Sequence, residues 1–208
     1  MKTLAAFLLV GAILTGCGGK LDEAAQGLKS MENLAESAKD AQATQDVVEK
    51  RREERRAKGD TVSLPVEELK AYLPADISGY TAEEPETSST DMPGFSFSQA
   101  SRVYRRADGA TIKLQLTDYN NGTMGYASMG AIFGMKWRVD NKDETSGTFQ
   151  TGDPMINGHE RFEKSTKNTT LMYGLGGRFI LNVEAEKQDV AFARSVAEKV
   201  DLKKLASK

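Results

Sequence analysis

The chain of 208 residues contains one histidine, His159, and one cysteine, Cys17. A hydrolytic triad or a histidine-based zinc site needs several such groups to converge, and His159 alone does not provide them. It lies in Asn157-Gly158-His159-Glu160-Arg161 at the start of a predicted strand. Alternation puts it on the face of Arg161 and Glu163, opposite Phe162, so it reads as an exposed strand histidine. Hydrolysis by two carboxylates needs a pair set apart by position, and the spacing of Asp118, Asp140 and Asp143 sets none apart. Asp118-Tyr119-Asn120-Asn121-Gly122 starts with oxygen ligands suited to calcium. It lacks the alternating ligands and closing glutamate of an EF-hand loop, and reads as a turn into a helix. Gly174, Gly176 and Gly177 follow a strand without opening a helix onto phosphate, which argues against a nucleotide loop. Asn121-Gly122-Thr123 and Asn168-Thr169-Thr170 match the N-glycosylation pattern by composition alone. No catalytic residue, metal site or cofactor follows from these residues, and the expectation is a protein that is not an enzyme.

The chemistry of Cys17 is of another kind. Lys2 gives a positive start, Leu4 to Leu14 is an uncharged apolar run, and small residues follow. The run is too short to span a bilayer, which takes about 20 apolar residues. The tetrad Leu14-Thr15-Gly16-Cys17 that closes it resembles the lipobox of bacterial lipoproteins, over the first seventeen residues only. The resemblance implies a signal peptide over residues 1–16 and fatty acylation of the Cys17 thiol with chains of the palmitate type. Cleavage before Cys17 and acylation of the new amino terminus complete the lipidated stretch 17–20. In enterobacterial lipoproteins an aspartate after the cysteine retains the protein at the inner membrane. Gly18 stands there, which points to the outer membrane, facing the periplasm, in a cell envelope with two membranes. A lone cysteine excludes an intramolecular disulfide, so stability has to come from a core. Loss of Lys2 with the leader takes 28 basic residues to 27 against 30 acidic ones, and the net charge from −2 to −3. That balance argues against a nucleic-acid partner.

Residues 21–58 contain no proline, one glycine (Gly27), and mostly Ala, Glu, Gln, Lys and Arg, so they predict one helical spacer. Leu21, Ala24, Leu28, Met31, Ala35 and Ala38 recur by threes and fours, as in a coiled-coil seam. The register then runs into Gln42, Gln45, Glu49 and Arg52, so any self-association falls within residues 21–41. From Glu49 to Lys58, six basic residues accompany three acidic ones, at spacings that suit ion pairs on a solvated helix, such as Glu49 with Arg52 and Lys50 with Glu54. Gly59-Asp60 reads as a mobile, polar joint, with an α+β domain at 61–205 able to fold independently.

Within that domain, Pro65 to Tyr72 predicts a short helix closed before Pro74. Thr81 to Gly94 has almost nothing to bury and reads as a mobile acidic loop. Phe95 to Arg106 and Thr111 to Thr117 form a hairpin about Asp108-Gly109. Further strands follow at Thr145 to Gln150, His159 to Thr166, Thr170 to Leu175 and Arg178 to Glu184, and an amphipathic helix runs from Gln188 to about Val200. Together these elements predict a largely antiparallel sheet with two or three helices. The pattern over Leu64 to Leu205, with Gly177-Arg178-Phe179-Ile180-Leu181-Asn182-Val183-Glu184 before a closing helix, resembles small domains of unknown function on envelope lipoproteins. That resemblance implies no activity and carries over no residue.

Met124 to Trp137 is apolar on two opposite helical faces. Met124, Ala127, Ser128, Ala131, Ile132 and Met135 share one face, which is expected against the sheet. Tyr126, Met129, Phe133 and Trp137 share the other and are the candidate binding residues. If left open they would mark a site for a protein partner or an apolar or lipidic ligand. The whole reads as a lipid-anchored envelope protein acting as a binding or structural module, with a carrier of an apolar ligand at 124–137 as the alternative.

Overall fold

The computed structural model describes residues 39, 42–43, 45–92, 95–120, 126 and 133–208. The leader, Cys17, the seam residues and Met129 lie outside these. In chain order the described elements are helix α1 (residues 45–57), helix α2 (Val66–Lys70), strands β1 (Thr81–Ala82), β2 (Glu86–Met92), β3 (Phe95–Arg105), β4 (Thr111–Asp118), β5 (Arg138–Asp140), β6 (Glu144–Gln150), β7 (Ile156–Glu163), β8 (Asn168–Leu175) and β9 (Phe179–Ala185), then helices α3 (Val190–Ala197) and α4 (Leu202–Ser207).

The alternation read from the sequence produces one antiparallel sheet, ordered β1-β3-β4-β9-β8-β7-β6-β5, with β2 also paired to β3. Registers such as Leu116↔Leu181 and Leu171↔Val183 align the apolar sets of neighbouring strands on one face. Leu69 of α2, Ala193 and Val196 of α3 and Leu205 of α4 belong to the same fully buried cluster as Leu114, Leu116, Leu175 and Val183. Each buried Leu or Val side chain there contributes about 1.5–3 kcal/mol relative to exposure. Asp189 and Asp201 cap α3 and α4 by accepting from Phe192 N at 2.8 Å and Lys204 N at 3.0 Å. These elements make the domain α+β with a largely antiparallel sheet.

Three expectations are corrected. Within Thr81 to Gly94, residues 81–82 and 86–92 are edge strand instead of loop, because β1 and β2 pair through backbone with β3, and β2 leaves nearly all its side chains in solvent. The closing helix is shorter, and the chain turns at Val200 into α4, which continues past Leu205 to Ser207. The joint at Gly59-Asp60 is not poor in contacts. Gly59, at φ +77°, ends α1 while Gly59 N and Asp60 N bond back to Arg56 O and Arg55 O at 3.0 and 2.9 Å, a Schellman closure. Of the expected ion pairs on α1, Glu49–Arg52 forms at 2.8 Å. Arg51 reaches Ser207 O at 3.5 Å, and Arg55 is buried. No helix among the described residues is long and apolar enough to cross a membrane.

Candidate functional site

Ile112, Leu114 and Leu116 put one side of β4 into the core, and Asp118 continues that side, 0% exposed. A carboxylate there requires a cation. Arg178, just before β9, supplies it with Nη2 to Asp118 Oδ2 at 2.8 Å and Nε to Oδ1 at 2.9 Å. Its Nη1 reaches Asp60 Oδ2 at 2.8 Å. Asp118 also accepts from Leu64 N and Asn120 N, at 2.8 and 2.9 Å. Asn120 Nδ2 donates to Asp60 Oδ1 at 2.7 Å, and its Oδ1 accepts from Arg55 Nε at 3.1 Å. Arg55 Nη1 donates to Gly176 O at 3.3 Å. Two guanidiniums and two carboxylates thus clasp the end of α1 to the sheet. Burial alone favours loss of charge from Arg178, but its bonds to Asp118 and Asp60 outweigh that and raise its pKa. Burial and the nearby Arg178 lower that of Arg55.

Two of the candidate binding residues of 124–137, Tyr126 and Phe133, are placed the other way round from the expectation, and Met129 lies outside the described residues. Tyr126 and Phe133 lie 7% and 5% exposed, and a Cβ on Gly174 would sit 2.9 Å from the Tyr126 hydroxyl and 2.7 Å from the Phe133 ring. The bare strand backbone at Gly174 takes both rings, so these two lie against the sheet, and Met135, assigned to the other face, is exposed. Two-sided apolarity does not say which side a sheet will accept. Burial pushes the Tyr126 hydroxyl up to about 12.

Trp137 is half-buried, its ring centroid 5.3 Å from that of His159, which is half-buried too and not the exposed histidine expected. Desolvation lowers the His159 pKa below its ordinary 6.5 against the opposing effect of Glu160. The folded state thus favours the neutral ring, and the unfolded chain takes up the proton first as pH falls. The His159 contribution is complete above the unfolded value and is lost as pH falls through it towards the folded one. With no second histidine to titrate there, thermal stability should drop between about pH 7.5 and pH 5.5, and more steeply in the parent protein than in His159→Gln. Parallel thermal-melt profiles for the two would refute this assignment.

On the helix face, a half-open cleft of about 580 Å³ lies between the end of β6, the start of β7 and the turn from α3 to α4. Phe149, Ile156, Tyr173 and Leu202 give it apolar walls, and Arg194, Glu198, Lys199 and Asp201 line it with charges of both signs. Gly158 makes room for the Phe149 ring, since a Cβ there would fall 2.2 Å from it. Phe149 meets Tyr173 edge-on at 5.3 Å and carries the Arg194 guanidinium at 4.1 Å over its face. Arg194 is held by Glu160 Oε2 at 2.5 Å. Desolvation pushes the Tyr173 hydroxyl up to about 12, so it stays protonated and neutral. The cleft therefore sets apolar walls beside a fixed guanidinium and a neutral phenol.

Sequence reading overlooked the clasp and the cleft. One signal for the clasp was present, since Asp118 extends an apolar stripe and a buried carboxylate implies a buried cation. Nothing local marks Phe149, Tyr173 and Arg194 as neighbours, because they converge from three elements. Among the described residues no three His, Cys, Asp or Glu side chains are grouped to hold a metal ion. Compared with models of protein families, with curated proteins and with solved structures, the chain matches none.

Proposed function

We propose that this chain is a lipid-anchored protein of the bacterial envelope, acylated at Cys17, whose α+β domain works as a binding module. The observation that carries the reading is the cleft at Phe149, Tyr173 and Arg194, in a domain clasped to the helix whose chain leads back to the lipobox. An apolar wall with a fixed guanidinium and a neutral tyrosine suits a ligand that is part apolar and part polar, such as a segment of another envelope protein. Anchoring needs more than one acyl chain, since a single myristoyl chain binds membranes marginally. Growth with labelled palmitate should mark the parent protein, and Cys17→Ser should be unlabelled and leave the membrane fraction or remain unprocessed. Equal labelling of both would refute the anchor.

A further inference from the structure

Among the described residues the large apolar side chains that stand exposed are Val47, Val62, Met92, Phe95, Met135 and Val139. Three of them gather at one end of the sheet. Met92 and Phe95 face each other as the last register pair of β2 and β3, 55% and 38% exposed. Val62, 52% exposed, stands at the same end on the other face of the sheet, since it precedes Ser63, whose amide and hydroxyl bond to Ser96 Oγ at 2.9 and 2.8 Å, and the Ser96 side chain alternates with those of Phe95 and Phe97. Phe97 continues the group, its ring 6.3 Å from Phe95 on one side and 6.3 Å from Tyr119 on the other. The clasp at Asp60, Asp118 and Asn120 adjoins this group, so α1 ends at the same end of the sheet. From there α1 crosses to Gly177, which Val48 touches, and its chain leads back towards Cys17.

We infer that Val62, Met92, Phe95 and Tyr119 form a membrane-contacting tip that dips into the lipid interface beside the anchor; the inference rests on the acylation of Cys17 proposed above. Three exposed side chains and two half-buried rings fall well short of the roughly 800 Å² per partner that a stable dimer buries. A bilayer interface requires no complementary shape, and it takes aliphatic and aromatic side chains with a tyrosine hydroxyl left at headgroup level. Between Cys17 and α1 lie residues 18–44, which fully extended would reach at most about 95 Å, so the tether lets the tip meet the surface that holds the anchor. Asp91 beside Met92 would be repelled by anionic headgroups, so the tip suits a zwitterionic surface and shallow entry.

The test uses the full-length, lipidated protein reconstituted into phosphatidylethanolamine–phosphatidylcholine vesicles. With the Cys17 thiol acylated, Phe95→Cys offers one thiol for an environment-sensitive nitrobenzoxadiazole label, Met92→Cys is a second such position, and Val139→Cys on β5 is the control. Label emission should rise severalfold and shift to the blue at 95 and 92 when vesicles are added, and be quenched by brominated lipid, with no change at 139. Labels at 95 and 92 that stay in water on protein whose mass includes the acyl chains would overturn this inference and leave the anchor standing. A mass without acyl chains would overturn the anchor and this inference with it. A blue shift that needs no vesicles and grows with protein concentration would give the tip to a second copy of the chain and overturn the inference.

Discussion

Asp118→Ala is expected to lower the free energy of unfolding by about 3–5 kcal/mol, the range for removing one partner of a buried ion pair. The loss arises chiefly from what remains: Arg178, 2% exposed, keeps only Asp60 as a counter-charge, and the amides of Leu64 and Asn120 lose their acceptor. Replacing both members, as in Asp118→Leu with Arg178→Met, removes the stranded charge and should recover part of the loss. Recovery should stay incomplete, because the two amides are still unpaired, at a cost of about 1–3 kcal/mol each if they remain dry. Urea titrations of the parent, single and double variants measure all three quantities. A single-variant loss below about 1 kcal/mol would show the pair to be far more hydrated than its burial implies.

Gly176→Ala should be the more damaging of two formally similar substitutions. Gly176 sits at φ +61°, where an L side chain costs about 1–2 kcal/mol, and a Cβ there would lie 2.6 Å from Ala206 O of α4. The carbonyl of Gly176 also accepts from Arg55 and its amide donates to Met155 O at 2.9 Å, so the residue has little room to shift. Gly152 has φ +82° with nothing within 4 Å of the same built atom, and Gly152→Ala should show the backbone cost by itself. The excess at 176, expected to be about 1–3 kcal/mol for overpacking against backbone, reports the pressure on α4. Equal losses in thermal or urea unfolding would remove α4 from the explanation.

How much of this was legible in the sequence depended on the range of the interaction. Asp108-Gly109 gives its hairpin away because the turn chemistry is local, and Gly109 takes φ +82° there. The stripe of Val196, Ala197 and Val200 likewise marks a helix that needs cover. Thr81 to Gly94 offers little to bury and so hides its strands, because an edge strand lives on backbone hydrogen bonds and tolerates polar side chains. The side chains of Arg55, Asp60, Asn120 and Arg178 carry no local sign of one another, as the bonds between them bridge 60 to 118 positions of chain. In Met124 to Trp137 the period is readable, but the seat of Tyr126 and Phe133 is the missing side chain at Gly174, about forty residues or more downstream.

The placing of the clasp has a mechanical consequence. A pull along α1 enters the domain through Arg55 and Asp60, and passes to Asp118 at the end of β4 and to Arg178 beside β9. These two strands lie inside the sheet, each bonded to a neighbour on both sides and to one another over seven registered pairs. Tension at the tether is therefore taken up by many backbone hydrogen bonds in parallel, and the outer strands β2 and β5 stay out of the force path. A load that would peel an edge strand one bond at a time is instead borne by two strands paired on both sides.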